Sequence, residues 1–324
     1  MKPFSRMACG FAVAACFAAP VACLAQTYPA KPIRMVLTYA GSIEGATRLV
    51  AQKMSEGLGQ PVVLDSQPGA AGSIGAANVA RAVPDGYTIL SSTGSTQFLL
   101  RLLTKNVPYD PIRDFTPITL GWETITVLVT SKAYPLNSLQ ELIEYAKRNP
   151  GKVSYGTSGN GTTHHFSLEL IKQLTGVDIV HIPYKGGAQP LIDVIAGRIE
   201  VSSSVLASVA PFASSGKIKY FAVVNDRRFD RIPDVPSVRE VIPGFRSPPF
   251  WSAFYGPPGL PQTVVKRLNA EIVRVLKLPD VRAKLGELGM LVVASTPEEL
   301  MESTRAGIEA SDRIAKAAHL EPQD

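Results

Sequence analysis

The sequence predicts an α/β protein built from two similar lobes. Apolar runs of strand length alternate with amphipathic stretches of helix length, which is the pattern of an α/β fold. One order of strands, loops and helices occurs twice along the chain, and the loops that follow its strands are rich in Gly, Ser and Thr. A chain of about 300 residues can form one large domain or two lobes of ordinary size.

The first copy of this order follows residue 32. Its predicted strands are 33–39, 62–65 and 87–92. The first helix is 45–58, because apolar residues recur along it at helical spacing. A Gly/Ala segment, 68–72, leads into a second helix that ends near Ala82, and Asp85-Gly86 turns the chain into the third strand.

The second copy has predicted strands at 153–156, 179–183 and 199–204, with a helix after the loop 157–163 and another at 190–196. Gly59 and Gly176 lie 117 positions apart (176−59), and the same offset pairs Tyr39 with Gly156. An internal duplication explains this agreement, and so does convergence of two α/β lobes on one pattern. Both explanations predict two similar lobes.

The remaining segments complete the lobes. Capping boxes at Ser138–Glu141 and Thr296–Glu299 predict helix starts. Residues 226–249 are rich in Pro and charge and are predicted to connect the lobes. The strand-Pro-helix segment 250–277 mirrors 127–147, so each lobe is expected to borrow a strand. We therefore predict discontinuous lobes, 26–124 with 248–324 and 125–247.

The amino terminus predicts export. Lys2 and Arg6 precede an uncharged apolar run, 7–24, and small residues follow it, as in a secretory signal peptide (residues 1–25) cut after Ala25. A lipobox-like stretch that ends at Cys16 leaves a lipoprotein open, but the apolar run continues beyond it. We expect soluble export to the periplasm.

Composition excludes several classes of function. All three cysteines lie in the signal segment, so the mature chain has no disulfide and no thiolate metal site. The formal net charge of +6 becomes +4 without Lys2 and Arg6, and no basic run predicts binding to nucleic acid or membrane surfaces. No nucleophile–base motif is present, and the adjacent pair His164-His165 suits a shared metal ion poorly. We expect no catalytic residue, metal or cofactor, although a periplasmic α/β enzyme stays an alternative.

The candidate site is the set of loops at the carboxyl ends of the strands, where open α/β sheets bind ligands. Gly permits close backbone approach, hydroxyls donate hydrogen bonds, and helix N-termini attract anions. Ordinary turn chemistry also explains any one such loop, but their concentration at one edge of two lobes favours a site for a small organic anion. The predicted ligand-binding residues are Tyr39, Gly41, Ser42, Gly69, Ala70, Ser92, Thr93, Ser158, Asn160, Thr162, Tyr184, Lys185, Gly186 and Ser204.

These loops belong to a series of motifs that resembles the Bug family, the periplasmic receptors of tripartite tricarboxylate transporters. The matching segments, in order along most of the mature chain, are 28–33, 59–63, 68–72, 84–88, 109–111, 149–152, 159–161, 165, 181–186 and 233–236. The resemblance implies a two-lobed, type II-like periplasmic binding protein (Venus-flytrap) fold with a carboxylate in the cleft. It also implies membrane transporter subunits as partners and no cofactor; a monomer is expected. A receptor that reports to a membrane sensor kinase is an alternative within the same fold.

Two departures from the family pattern bear on the ligand. The first loop, 40–45, is about two residues shorter than in the family, and Glu44 stands near the family's Asp. The stretch Ser202–Ser204 lacks an Asp that the family often carries. Without that acid, an ammonium group has no evident partner, so a plain carboxylate is expected rather than an amino acid.

Overall fold

The computed structural model describes residues 28–160, 162–246 and 250–317. The predicted signal peptide, its cleavage site and Cys16 lie outside these residues. The strands are β1 (Ile33–Leu37), β2 (Val62–Ser66), β3 (Thr88–Thr93), β4 (Thr116–Thr124), β5 (Thr126–Ser131), β6 (Ser154–Thr157), β7 (Val180–Pro183), β8 (Val201–Val205), β9 (Ile218–Val223), β10 (Trp251–Gly256) and β11 (Met290–Val292). The helices are α1 (Ser42–Leu58), α2 (Ser73–Ala80), α3 (Leu100–Leu103), α4 (Leu139–Arg148), α5 (Thr163–Thr175), α6 (Ala188–Ile195), α7 (Leu206–Ser214), α8 (Val238–Val241), α9 (Gln262–Leu276), α10 (Pro279–Glu287) and α11 (Pro297–Ala317).

The strands form two sheets. The first has six strands in the order β11-β4-β10-β3-β1-β2, in which β1 is parallel to β2 and β3, and β10 is antiparallel to β3 and β4. The second has five in the order β7-β6-β8-β5-β9, in which β6 is parallel to β7 and β8, and β5 is antiparallel to β8 and β9. Each sheet therefore places three parallel strands beside one antiparallel strand from another part of the chain.

The repeated strand order agrees with the repeat in the sequence, but the constant offset fails at the first strand. Leu37 pairs with Ser91 in one sheet, and Gly156 pairs with Ser202 in the other. When Ser91 is aligned with Ser202, the residue equivalent to Gly156 is therefore Leu37. The constant offset of 117 instead makes Tyr39 equivalent to Gly156. The reason is that α1 has 17 residues and α5 has 13.

Both faces of each sheet are covered by apolar side chains. Along β1, Met35 and Leu37 pack toward α1 and α9, whereas Val36 packs into the cluster on the opposite face with Phe98 and Trp251. In the second sheet, α4 and α5 contribute to one cluster, and α6 and α7 to the other. This burial on both faces fits the apolar character of β1, whereas β8 is buried with serines at its centre.

Two stretches of chain connect the sheets, one near residues 124–126 and one between β9 and β10. The backbone N–H of Thr124 donates to Phe250 O at 2.6 Å, and that of Ile125 donates to Gly289 O at 2.8 Å. The Asn225 side chain accepts from Thr126 N at 3.0 Å and donates to Thr124 O at 3.2 Å. These hydrogen bonds therefore hold residues 124–126 to three other segments of the chain, at the point where the chain crosses from one sheet to the other.

Several elements differ from the sequence-based expectation. Helix α1 begins at Ser42, three residues early, so the first loop is shorter than predicted. Residues Ser95–Leu99 form a π-helical turn that the sequence pattern does not predict. The predicted connection 226–249 includes the one-turn helix α8, with a capping box between Ser237 and Glu240. None of the helices in the described ranges is long and apolar enough to cross a membrane.

Candidate ligand-binding site

Loops from the two sheets meet at the carboxyl ends of the parallel strands. The hydroxyls of Ser95 and Thr163 are hydrogen-bonded at 2.5 Å, and Thr163 N donates to Ser95 Oγ at 3.0 Å. Ser95 follows β3 of the first sheet and Thr163 begins α5, which follows β6 of the second, so these bonds join loops of the two lobes. Phe166, also on α5, packs into the cluster of Phe98 and Trp251 from the first lobe.

The predicted residue Tyr39 binds other residues of the first lobe through its hydroxyl. Its hydroxyl is hydrogen-bonded to Thr47 Oγ1 at 2.7 Å and to Ser91 Oγ at 2.6 Å, and the side chain is buried. Burial raises the pKa of Tyr39 to about 12, so the phenol stays neutral. Two residues further along the chain, Gly41 is exposed, has a φ of 84° and directly precedes Ser42, the first residue of α1.

Ser92 and Thr93 end the third strand but differ in availability. Ser92 is buried, and its Oγ accepts from Gln97 Nε2 at 3.2 Å and from Thr38 Oγ1 at 3.4 Å. Thr93 is half-buried. Because Ser92 is fully buried and Thr93 is not, Thr93 is the better placed of the two to meet a ligand.

The segment after β2 forms a left-handed turn. Ala70, Ala71 and Gly72 have φ values of 50°, 52° and 89°. Thr96 Oγ1 donates to Ala71 O at 3.0 Å and holds the turn against the chain that follows β3. Left-handed backbone costs a residue with a Cβ about 1–2 kcal/mol, so this turn is strained at two alanines.

The loop after β6 is held by its own side chains. The Ser158 hydroxyl is hydrogen-bonded to His164 Nδ1 at 2.9 Å. Thr162 donates to Gly159 O at 2.8 Å and caps α5 by accepting from His165 N at 3.3 Å. Thr162 therefore shapes the loop rather than offering its hydroxyl to a ligand, whereas Asn160 is exposed.

The turn after β7 braces the same loop. The Tyr184 hydroxyl donates to Asp193 Oδ2 at 2.7 Å, which directs this side chain to α6. Gly186, with a φ of 105°, donates its N–H to Ser158 O at 3.2 Å. Lys185 between them is exposed. Ser204 is buried in β8, and its hydroxyl is bonded to Ser202 Oγ at 2.9 Å.

Two long helices point their N-termini toward this edge, α1 with 17 residues and α5 with 13. The first turn of α1 contains Glu44, but its carboxylate accepts from Arg48 Nη2 at 2.8 Å. The first turn of α5 contains no acid. The helix dipole favours an anion at such positions. Helix α1 has no side-chain cap, whereas the N–H groups of Thr163 and His165 in α5 already donate to Ser95 and Thr162.

The sequence predicts the loops 91–97 and 157–163 as parts of the site, but the individual ligand-binding residues predicted within them do not include Ser95, Thr96, Gln97 and Thr163. Ser95, Thr96 and Gln97 lie in the π-helical turn. A π-helix has more residues per turn than an α-helix, so its side chains do not point where α-helical or strand periodicity predicts. Hydroxyl and amide residues next to a predicted strand end were the available signal. Among the described residues, no group of three or more potential metal ligands is assembled.

Comparison with known families decides the identity of the chain. Residues 46–320 match the family described as the tripartite tricarboxylate transporter family receptor. The chain belongs to this family. Membership of this family of receptors implies a periplasmic location for the chain.

Individual members of the receptor family agree in sequence and fold. The protein BugT of Bordetella pertussis is 32% identical over 293 residues, which is 89% of each chain. A solved R. palustris protein with adipate has a TM-score of 0.86 and 31% identity, covering 91% of this chain and 100% of its own. MatC of Rhodopseudomonas palustris with bound malate has a TM-score of 0.82 and 28% identity, covering 89% and 99%. The predicted Bug-family resemblance and two-lobed α/β fold are thus confirmed.

Proposed function

We propose that this receptor captures a small organic carboxylate in the cleft between its lobes and passes it, unchanged, to the membrane subunits of a tripartite tricarboxylate transporter. The observation that carries the proposal is the meeting of the two lobes' loops at Ser95 and Thr163, beside the N-termini of α1 and α5. The relatives solved with adipate and malate support the same ligand class.

Neutral donors hold the carboxylate in this proposal. The backbone N–H groups that begin α1, with Thr93, Ser158 and Asn160, supply short hydrogen bonds in a site that can exclude water, and the dipole of α5 adds partial positive charge. Arg101, near the first-lobe loops, is already engaged, since its Nη2 lies 2.6 Å from Asp312 Oδ1. Exposed Lys185 adds a mobile positive charge at the rim.

The chain organisation is part of the proposal. One lobe comprises 26–124 and 248–324, and the other 125–247. The distribution of strands over the two sheets supports these bounds, because β10 and β11 return to the sheet of β1–β4. The mature protein begins at Gln26 after signal cleavage and acts as a monomer.

A thermal-shift screen of the mature protein against mono-, di- and tricarboxylates tests the proposal. A ligand at about 100 times its dissociation constant stabilises the folded state by about 2.7 kcal/mol, which raises the melting temperature measurably. We expect at least one carboxylate to do so and the matching amides and alcohols to have no effect. A screen in which uncharged analogues stabilise equally would contradict a carboxylate site.

A further inference from the structure

The segment His181–Gly186 contacts the ligand loop 157–163 at three points. Tyr184 N donates to Thr157 O at 3.1 Å, and Gly186 N donates to Ser158 O at 3.2 Å. The third contact is made by a side chain, because His181 Nε2 is hydrogen-bonded to Thr157 Oγ1 at 2.7 Å. This segment therefore holds the first two residues of the loop from one side.

The Thr157 hydroxyl that contacts His181 also contacts Gly159. Its Oγ1 lies 3.3 Å from both Gly159 N and Gly159 O, within hydrogen-bond reach of each. Gly159 O also accepts from Thr162 Oγ1, the residue that caps α5. Gly159 has a φ of 133°, and a Cβ there would lie 3.2 Å from Tyr184 O. One hydroxyl thus fixes a turn that favours Gly, and Ser158 lies in this turn.

The His181 ring is itself fixed by stacking. It lies between Tyr155, with ring centroids 4.9 Å apart and an interplanar angle of 20°, and His165, at 4.1 Å and 11°. The Tyr155 hydroxyl donates to Glu169 Oε1 at 2.5 Å, and Lys172 Nζ donates to the same oxygen at 3.0 Å. Both flanking rings belong to the second lobe, so the stack is a rigid support within it.

The charges around His181 favour a neutral ring. Burial, with smaller contributions from His165 and Lys172 and against the opposing effect of Glu169, lowers the pKa of His181 to about 4. A neutral imidazole keeps one nitrogen for the hydrogen bond to Thr157 without bringing a buried charge next to the loop.

We propose that His181 is a positioning residue for the ligand loop: its hydrogen bond to Thr157 sets the turn at Gly159 and so aims Ser158 and the α5 N-terminus at the bound anion. The inference rests on the proposed function for its effect on affinity. Its effect on the loop itself is independent of any ligand.

Two substitutions at residue 181 separate the hydrogen bond from the stack. His181→Phe retains a flat ring between Tyr155 and His165 but cannot bond Thr157. His181→Gln places an amide where Nε2 was but gives up much of the stacking. His165→Phe is the control, since it keeps the stack and leaves the contact with Thr157 in place.

Affinity is measured by titrating adipate and malate into the mature protein and its three variants. We expect His181→Phe to bind about three- to tenfold more weakly, the effect of one hydrogen bond, while His181→Gln and His165→Phe bind like the wild type. The melting temperature should be higher for His181→Phe, which keeps the stacked ring, than for His181→Gln, which does not. Equal losses of affinity in Phe and Gln variants would overturn the proposal.

Hydrogen exchange in the absence of ligand distinguishes a failure of this inference from a failure of the proposed function. The amides of residues 158–160 should exchange at least about threefold faster in His181→Phe than in His181→Gln or the wild type. If wild type binds neither acid, nor any carboxylate of the thermal-shift screen, but this exchange pattern is observed, the positioning role stands and the ligand class is wrong. If exchange is unchanged in His181→Phe, the positioning role is refuted.

Discussion

His164 is a titratable residue buried beside the ligand loop. Its Nδ1 bonds Ser158, its ring lies 5.8 Å from that of Phe250, and its Nε2 is buried with no hydrogen-bond partner in the described part of the chain. Burial lowers the pKa of His164 to about 4, from the ordinary value of 6.5. The His164 imidazole is therefore neutral in the folded protein at neutral pH.

This shift predicts an acid-sensitive fold. Because the folded-state pKa is depressed, the unfolded chain gains a proton as the pH falls through 6.5 while the folded chain does not until about 4. The stabilisation is complete above pH 6.5 and is lost between 6.5 and 4. Urea unfolding at pH 7.5 and 5.0 should show a decrease in the free energy of unfolding, with about 1–2 kcal/mol of it due to His164.

The matched variant is His164→Gln, which keeps a polar side chain without the titration. It should be less stable than the wild type at pH 7.5 but lose less stability between pH 7.5 and 5.0. The account of His164 fails if wild type and variant lose the same amount.

At the scale of single elements, the left-handed turn at 70–72 is the least favourable piece of backbone in the site. Ala71, with a φ of 52°, has a Cβ in a conformation that Gly adopts without penalty. Ala71→Gly should raise the free energy of unfolding by about 0.5–1 kcal/mol, the strain relieved less the added freedom of the unfolded chain.

The control for this prediction is Ala80→Gly, in the last turn of α2, where the backbone is helical and Gly should cost about 0.5–1 kcal/mol. Both variants are compared by urea unfolding. A loss of stability in Ala71→Gly similar to that in Ala80→Gly would show that the turn is not strained.

Elements with a long apolar period or a capping motif could be predicted from the sequence. The Ser138 cap of α4 is present, with Ser138 Oγ accepting from Glu141 N at 3.1 Å, and α11 begins at Pro297 after the box at Thr296. Helix α8 also has a capping box, Ser237 to Glu240, but its four residues are too few to show the apolar period that would support a helix. The π-helical turn after β3 depends on tertiary packing of Phe98 and Leu99, which no local pattern records.

The predicted site residues divide along similar lines. The sequence could predict that hydroxyls and glycines gather at the strand ends, because strand order fixes that edge. It could not predict that Tyr39, Thr162 and Tyr184 turn their hydroxyls to protein partners, since those contacts come from residues near and far in the chain. Whether the remaining residues touch the ligand stays a prediction.

At the scale of the whole molecule, Asn225 fastens the passage between the sheets. Its side chain bonds both Thr124 O and Thr126 N, on either side of the point where β4 gives way to β5. Asn225→Ala leaves these two backbone groups without that partner and should lower the free energy of unfolding by about 1–3 kcal/mol.

Asn137→Ala is the matched control, because Asn137 is exposed and, within the described residues, its side chain bonds Pro135 O and Lys219 Nζ, both in the second lobe. Its effect should stay within about 0.5 kcal/mol. Urea unfolding of both variants decides the matter, and equal effects at the two positions would show that Asn225 is not needed to hold the passage.

The central claim is that the protein holds a small organic carboxylate between its lobes and releases it unchanged. Isothermal titration of the mature protein, with the carboxylate that stabilises it most, tests this directly when the recovered ligand is then examined by NMR. We expect one ligand to bind per chain, and the same molecule to be recovered in full after prolonged incubation. Binding of no carboxylate, or recovery of a converted product, would contradict it.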